Sequence, residues 1–492
     1  MAEGILAYGA YLPRRRLQRR AIIEANAWFD PTLRGLGRGE RTMAGWDEDP
    51  ITMAVEAARD ALGEQDRSAI QGLRFASTTA PFLDRLNAGV VAAALNLPDN
   101  LSATDTMGAQ RAGTSALLEA LTGSKTTLVV AGEQRRAKAA SPLELTCGDG
   151  AAAMLVGAGE PLAVLIGSAS STADFVDHFR TEESVYDYRW EDRWVRDLGL
   201  LQLVPPTIQR CLAQAGIDAA SVTHFCLPTT VVKGADAVAR TVGIPATAVR
   251  DNLQANCGDT GTAHALLMLA DALENAGAGD LILVASFGQG ADALLLRVTD
   301  RIASFTPQRG VRGHLARRQE ETSYTRFAAF RDTLNLEHGM RAEVDKQTSL
   351  SYQWRHRATI TALVGGRCTR CGTPQFPASR ICVAPGCNAI DTQEPYAFAD
   401  KIGRIASYTA DQLSYAPDPP ACYGMITFAE GGRWMMDFTE IDAAELAVGR
   451  EMRMRFRIKD IDRQRGFRRY FWKASPVAEQ AAVSTAAPAK GD

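Results

Sequence analysis

The 492-residue sequence predicts an α/β fold made by internal duplication, followed by a metal-holding ribbon and a small β-barrel. Three observations predict it: a repeated helix–strand–turn–strand unit, four clustered cysteines, and a strand-rich C-terminal segment. GDGAAAMLV (148–156) and GQGADALLL (288–296) share the pattern G-x-G-A-x-A followed by three apolar residues. Each follows an apolar run with the length of a buried strand, TLVVAGE (127–133) or LILVASF (281–287). Ahead of each run lies a helix opening with Gly-Thr: GTSALLEAL from Gly113 and GTAHALLMLADAL from Gly261. An ordered set of elements that recurs 140 residues later marks two copies of one half-domain, 1–165 and 166–305.

Residues 306–357 change character. They are polar and rich in Arg and Glu, and read as a linker with one amphipathic helix at Tyr324–Leu334. The run CTRCGTPQFPASRICVAPGC then supplies Cys368, Cys371, Cys382 and Cys387, within a predicted ribbon at 358–395. Two pairs of thiolates, each from one tight turn, complete a tetrahedral shell around Zn²⁺. A closed shell of four sulfurs folds the module and does not catalyse. An iron centre of rubredoxin type is the alternative occupant. In the segment 396–475, REMRMRFRIKD (450–460) alternates Met452, Met454, Phe456 and Ile458 against Arg453, Arg455, Arg457 and Lys459. That alternation predicts a half-buried strand, and the neighbouring short strands have the scale of a small barrel. Residues 476–492 read as a disordered tail.

Composition narrows the function classes. Hydrophobic residues at 46% and charged residues at 23% fit a globular protein of several domains. A net charge of -3 argues against general binding to nucleic acid or membrane. The apolar run before the first arginines is too short for a secretory signal, so a reducing cytoplasmic location is expected for the nine cysteines.

The C-terminal part resembles the zinc-ribbon/OB-fold acyl-CoA-binding proteins that accompany thiolases. The four cysteines, Gly372, Phe376, Pro377 and the strands through DFTEIDAAELAVGREMRMRF carry that likeness, although Ala378 and Ser379 replace the family's Pro-Arg. The front of the chain resembles the thiolase superfamily, in its 3-hydroxy-3-methylglutaryl-CoA synthase branch. GAYLPRRRL, GRGERTMAGWDEDPITMAVEAARDAL and AQRAGTSAL carry this second likeness. Together they imply a duplicated thiolase-like fold followed by a zinc ribbon and an OB-fold, with a coenzyme A thioester as ligand.

The likeness also implies a catalytic set that this chain alters. The family's nucleophilic cysteine sits at a helix N-terminus, where the dipole lowers its pKa. Gln110 stands in that place, and a carboxamide cannot form a thioester. Cys226 stands where the family has histidine, and Thr78, by a looser match, where it has glutamate. Asn256 fits the family pattern, and Lys233 resembles the lysine that faces CoA. The expected function is therefore an acyl-CoA-binding subunit with a degenerate site. It would act as a homodimer of its thiolase-like domain, or beside a separate thiolase, in acyl-CoA carbon–carbon bond formation or cleavage.

Two alternatives stand beside it. One is an active acyltransferase or decarboxylase using Gln110 or a relocated thiol, Cys226 or Cys257. The other is a nucleic-acid-binding module resting on the basic stretch 450–473, where ten Lys/Arg outnumber three Asp/Glu among Phe467, Tyr470, Phe471 and Trp472. The same stretch could hold CoA or meet an acidic partner subunit.

Overall fold

The computed structural model describes residues 3–343, 346–347 and 349–477. It divides into two units, Met1–Arg357 with Phe456–Phe471, and Ala358–Arg455 with Trp472–Asp492. Nearly all of the stretch read as a disordered tail lies outside the described residues. No helix among those described is long and apolar enough to cross a membrane.

The first unit is built on a nine-stranded sheet. Its strands follow the order His224–Cys226, Leu281–Phe287, Gly290–Val298, Ala163–Thr172, Glu3–Tyr11, Asp149–Ala158, Thr127–Gln134, Gly72–Ala76 and Ser102–Thr106. The duplication is written in this order. Thr127–Gln134 pairs antiparallel with Asp149–Ala158, as Leu281–Phe287 does with Gly290–Val298. In each half a further strand adds in parallel, Gly72–Ala76 in the first and His224–Cys226 in the second. In the second half Gly288 and Gln289 alone turn the chain between the paired strands, whereas in the first half residues 135–148, with the helix Pro142–Thr146, connect them.

The two Gly-Thr helices, Ala112–Thr122 and His264–Asn275, share one apolar cluster with strands of both halves. Gly113 is required where they meet, because a Cβ there would lie 2.3 Å from the Thr262 carbonyl oxygen. No side chain fits that gap.

The helix Pro50–Leu62 is buried on every side although it carries Glu56 and Asp60. Asp49 caps it, accepting from the Thr52 amide at 3.0 Å, with Pro50 in the first turn. The Asp60 carboxylate accepts from the amides of Ala10 (2.9 Å), Arg309 (2.6 Å) and Gly310 (3.0 Å). Those last two belong to the stretch read from sequence as a linker. Instead, Val311, His314, Glu321 and Phe327 are buried against the first unit. Helices run Gly310–Ala316 and Tyr324–Phe330, and Gln319–Glu321 joins a small sheet beside Arg15–Gln18. Its Glu321 is buried by pairing with Arg326, and Arg318 pairs with the buried Glu40, while both arginines keep an exposed face.

The stretch Phe456–Phe471 also differs from expectation. Arg457 is fully buried, pairing with Glu48 at 3.1 Å and donating to the Tyr11 hydroxyl at 2.7 Å. Arg468 and Tyr470 both donate to Asp49, at 2.9 and 2.8 Å. Phe467 packs on Phe82 with centroids 5.7 Å apart. Much of the expected basic face is thus consumed by internal ion pairs. The strand Glu451–Asp462 is not half-buried, because its arginines find partners inside.

In the second unit, Val364–Cys368, Pro374–Gln375 and Gln393–Ala397 form the ribbon's sheet. The barrel sheet runs in the order Arg433–Asp437, Ala421–Phe428, Ile402–Asp411, Glu451–Asp462 and Phe467–Pro476. Phe376 ties ribbon to barrel, its ring 5.4 Å from Phe398 and 5.3 Å from Trp434. Trp472 is fully buried and donates its Nε1–H to the Thr361 carbonyl at 2.7 Å.

Asp60 gives the first unit a pH signature. Burial pushes its carboxyl up to about 6, against the lowering effect of the three amides. An unfolded aspartate titrates near ~3.9, so on raising the pH the unfolded chain ionises first. The stability tied to this site is whole below the unfolded pKa and is lost as pH rises through the folded one. The change is about 3 kcal/mol, from roughly two pKa units at 1.36 kcal/mol each. Denaturation of wild type and Asp60→Asn at pH 4 to 7 should show wild type losing that amount relative to the variant. Parallel curves would refute the assignment.

Candidate functional site

Gln110 sits in the turn just before the helix Ala112–Thr122, held there by its neighbour. The Arg111 guanidinium donates to Asp292 at 3.0 Å and to the Gly288 carbonyl at 3.1 Å. Asp292 is 1% exposed and also accepts from Thr114 (3.0 Å), Ser115 (2.6 Å) and Ser170 (2.7 Å). The start of the first half's helix is thereby fixed to the motif strand of the second.

Around Gln110 opens a cleft with about 720 Å³ of space, its mouth included. Arg135, His178, Thr229, Asp259 and Phe287 are among its walls. The Gln110 carboxamide nitrogen lies 3.2 Å from His178 Nε2, and His178 Nδ1 lies 2.8 Å from Asp177. With Nδ1–H donating to the carboxylate, Nε2 accepts from Gln110. Gln110 Oε1 is buried and has no hydrogen-bond partner among the described residues.

The imidazole arrives on a two-stranded hairpin, His178–Phe179 with Tyr188–Arg189. Arg135 pairs with Asp187 of that hairpin at 2.8 Å and with Asp259 at 3.4 Å. Arg180 of the hairpin donates to the Thr78 carbonyl. Nothing in the sequence around His178 marks it as a site residue, since its partner lies 68 positions away.

Thr78 carries no carboxylate but holds one. Its amide and hydroxyl each donate at 3.1 Å to Glu133, which is fully buried at the end of Thr127–Gln134. Thr79 and Thr262 hydroxyls donate to the same carboxylate. A Cβ on Gly261 would lie 2.8 Å from Gln110 Oε1, 2.9 Å from Glu133 Cγ and 3.2 Å from Arg135 Cδ. These three side chains therefore converge on one glycine, which sits at φ +55.

The remaining expected residues lie elsewhere. Cys226 is 0% exposed in the apolar core, its thiol facing the Met268 carbonyl at 3.6 Å, and burial pushes its pKa up to about 12. Cys257 is equally buried and also pushed up to about 12 by burial. Neither lines the cleft, so neither is placed to attack a thioester there. Asn256 is exposed on the short helix Gln254–Cys257, while Asp259, three residues on, faces the cleft. Lys233 is exposed just after the cleft-lining Thr229–Val231, ahead of the helix Gly234–Val242.

In the second unit, the sulfurs of Cys368, Cys371, Cys382 and Cys387 all lie within 4.8 Å of one another. Cys368 and Cys387 are 3.9 Å apart and Cys371 and Cys382 are 3.5 Å apart. Four Zn–S bonds of about 2.3 Å in a tetrahedron put sulfurs ~3.8 Å apart, so the quartet fits the ion. The Thr392 hydroxyl, 3.2 Å from Cys368, steadies the charged sulfur.

Known proteins match both parts of the chain. The 3-oxoacyl-[acyl-carrier-protein] synthase III C-terminal family model matches residues 212–298, and the ChsH2 C-terminal OB-fold model matches residues 396–457. The hydroxymethylglutaryl-CoA synthase of Methanocella arvoryzae is 30% identical over 314 residues, 61% of this chain and 90% of that protein. The one from Caldivirga maquilingensis is 27% identical over 352 residues, 69% of this chain and all of that protein. In fold, a crystal structure of HMG-CoA synthase complexed with CoA superposes with a TM-score of 0.60 at 19% identity, covering 71% of this chain and 95% of that one. The 3-oxoacyl-[acyl-carrier-protein] synthase III of Aquifex aeolicus does so with 0.53 at 22% identity, covering 60% and 99%. The chain belongs to the hydroxymethylglutaryl-CoA synthase family, on a thiolase-like fold joined to a C-terminal OB-fold domain.

Proposed function

We propose that this chain binds an acyl-CoA thioester in the Gln110 cleft without forming an acyl-enzyme, and supports a partner thiolase or acyltransferase in acyl-CoA carbon–carbon chemistry. One observation carries the reading: a carboxamide occupies the position before the helix Ala112–Thr122, and no thiol lines the cleft. A carboxamide can hydrogen-bond a thioester carbonyl but cannot displace its sulfur. The CoA-bound relative supports the ligand class, and the ChsH2-like domain supports a role within an acyl-CoA complex. Zinc held by the four cysteines would fold the ribbon beside the barrel and take no part in the chemistry.

A second reading rests on His178. Gln110 Nε2–H could hold the thioester oxygen of a malonyl-type ligand while its carboxylate leaves as CO2. The electron pair passes to the α-carbon as an enolate, and one solvent proton, relayed by His178, returns to that carbon.

Three measurements test these readings. Intact mass after incubation with acetyl-CoA should show noncovalent binding and no acyl adduct, whereas a stable adduct on any cysteine would overturn the first. Under the second, turnover of a malonyl thioester should fall about 10²-fold or more in both His178→Ala and Gln110→Ala. Metal analysis should find one zinc per chain, absent in Cys371→Ser. Because such a site contributes on the order of 10–16 kcal/mol to folding, the variant's ribbon should become protease-sensitive.

A further inference from the structure

A second chamber in the first unit adjoins the Gln110 cleft, and Arg135 lines both. It is a small pocket, about 280 Å³ only when the open solvent at its mouth is counted, and Arg41, Arg135, Arg136 and Arg331 stand in its wall. Four guanidiniums round one small space need opposing charge, and among the nearby carboxylates only Asp149 keeps a buried oxygen free, its Oδ1, 3.8 Å from Arg41 Nη2. Asp187 and Asp259 pair with Arg135. Asp149 accepts from the Ala44 amide at 2.7 Å and from Arg331 Nη2. Glu144 accepts from the Tyr324 hydroxyl and the Ala140 amide, both at 2.9 Å. Farther out, Asp332 pairs with Arg463 and Arg468 with Asp49.

What remains is a surplus of donors. Arg331 is 6% exposed, yet its Nε and Nη1 have no hydrogen-bond partner. Arg41 is 1% exposed and its Nη2 also lacks one, lying 3.8 Å from Asp149. Arg136 forms no ion pair among the described residues, and burial together with Arg468 and Arg331 pushes its pKa down. The Phe327 ring packs against Arg41 and Arg331, 4.9 and 5.4 Å from centroid to guanidinium carbon, fixing the planes of both. A buried unsatisfied donor costs about 1–3 kcal/mol, and more when charged; Arg41 Nη2 has Asp149 Oδ1 at 3.8 Å, so the two free nitrogens of Arg331 are the ones that call for an acceptor.

We propose that this arginine chamber binds a small oxyanion, a carboxylate or a phosphate, against Arg331 and Arg136. With Arg331 Nη2 held by Asp149, its Nε and Nη1 remain as two separate donors on different sides of the guanidinium, each able to take one oxygen of such a group. The group could be carried on the thioester in the adjoining cleft, reached past Arg135, or come from free solution. The site stands whether or not the cleft is catalytically competent.

Thermal denaturation at matched ionic strength tests the binding. Millimolar phosphate or succinate should raise the melting temperature above sodium chloride, and the rise should vanish in Arg136→Gln and in Arg331→Lys. The second variant keeps a cation for Asp149 but removes the two free donors, Nε and Nη1. The source is read by titration calorimetry with succinyl-CoA and butyryl-CoA. At least tenfold tighter binding of succinyl-CoA, lost in Arg136→Gln, assigns the anion to the thioester; equal binding with a retained phosphate effect assigns it to a free ion. Failure of both anions to exceed chloride, together with equal binding of the two thioesters, overturns the proposal. So does an anion effect unchanged in both variants.

Discussion

The buried carboxylate of Asp292 holds the two halves of the first unit in register at the site. It lies on the second copy's motif strand, yet it accepts from Arg111, Thr114 and Ser115 at the start of the first copy's helix. Removing one member of such a buried network costs ~3–5 kcal/mol, because the remaining charge is left without a partner. The same contact decides where Gln110 points, since Arg111 beside it cannot move without breaking the pair. Gly113 then lets the two central helices approach until backbone nearly meets backbone. Position of the site and integrity of the duplication are one constraint.

On that platform the cleft carries a hydrogen-bonded chain, Gln110 to His178 to Asp177. Glu133, clamped by Thr78, Thr79 and Thr262, brings a carboxylate to the position expected to lack one. Losses at single positions are therefore partly offset by groups from other elements. No thiol lines the cleft, but polar groups do.

Much of the fold was legible in the sequence because its signals are local. The repeated Gly-x-Gly turns, the apolar runs before them and the four cysteines each act within a few residues of themselves. The strand Glu451–Asp462 was legible as a strand but not in its burial, since Arg457 needs Glu48 and Tyr11 to go inside. The polar stretch after residue 305 read as a linker for the same reason. There Glu321 and Arg331 are buried, while Arg318 and Arg326 pair with carboxylates and stay exposed.

By itself the sequence determined the duplicated α/β platform, the clustered cysteine quartet and the absence of a thiol before the helix Ala112–Thr122. Those depend on spacing and side-chain chemistry within short segments. Only the tertiary structure decided that His178 meets Gln110, that Glu133 stands beside Thr78, and that Cys226 and Cys257 are core. It also decided that Arg41, Arg136 and Arg331 share one chamber. These groups converge from elements tens to hundreds of residues apart, and no local periodicity encodes such a meeting.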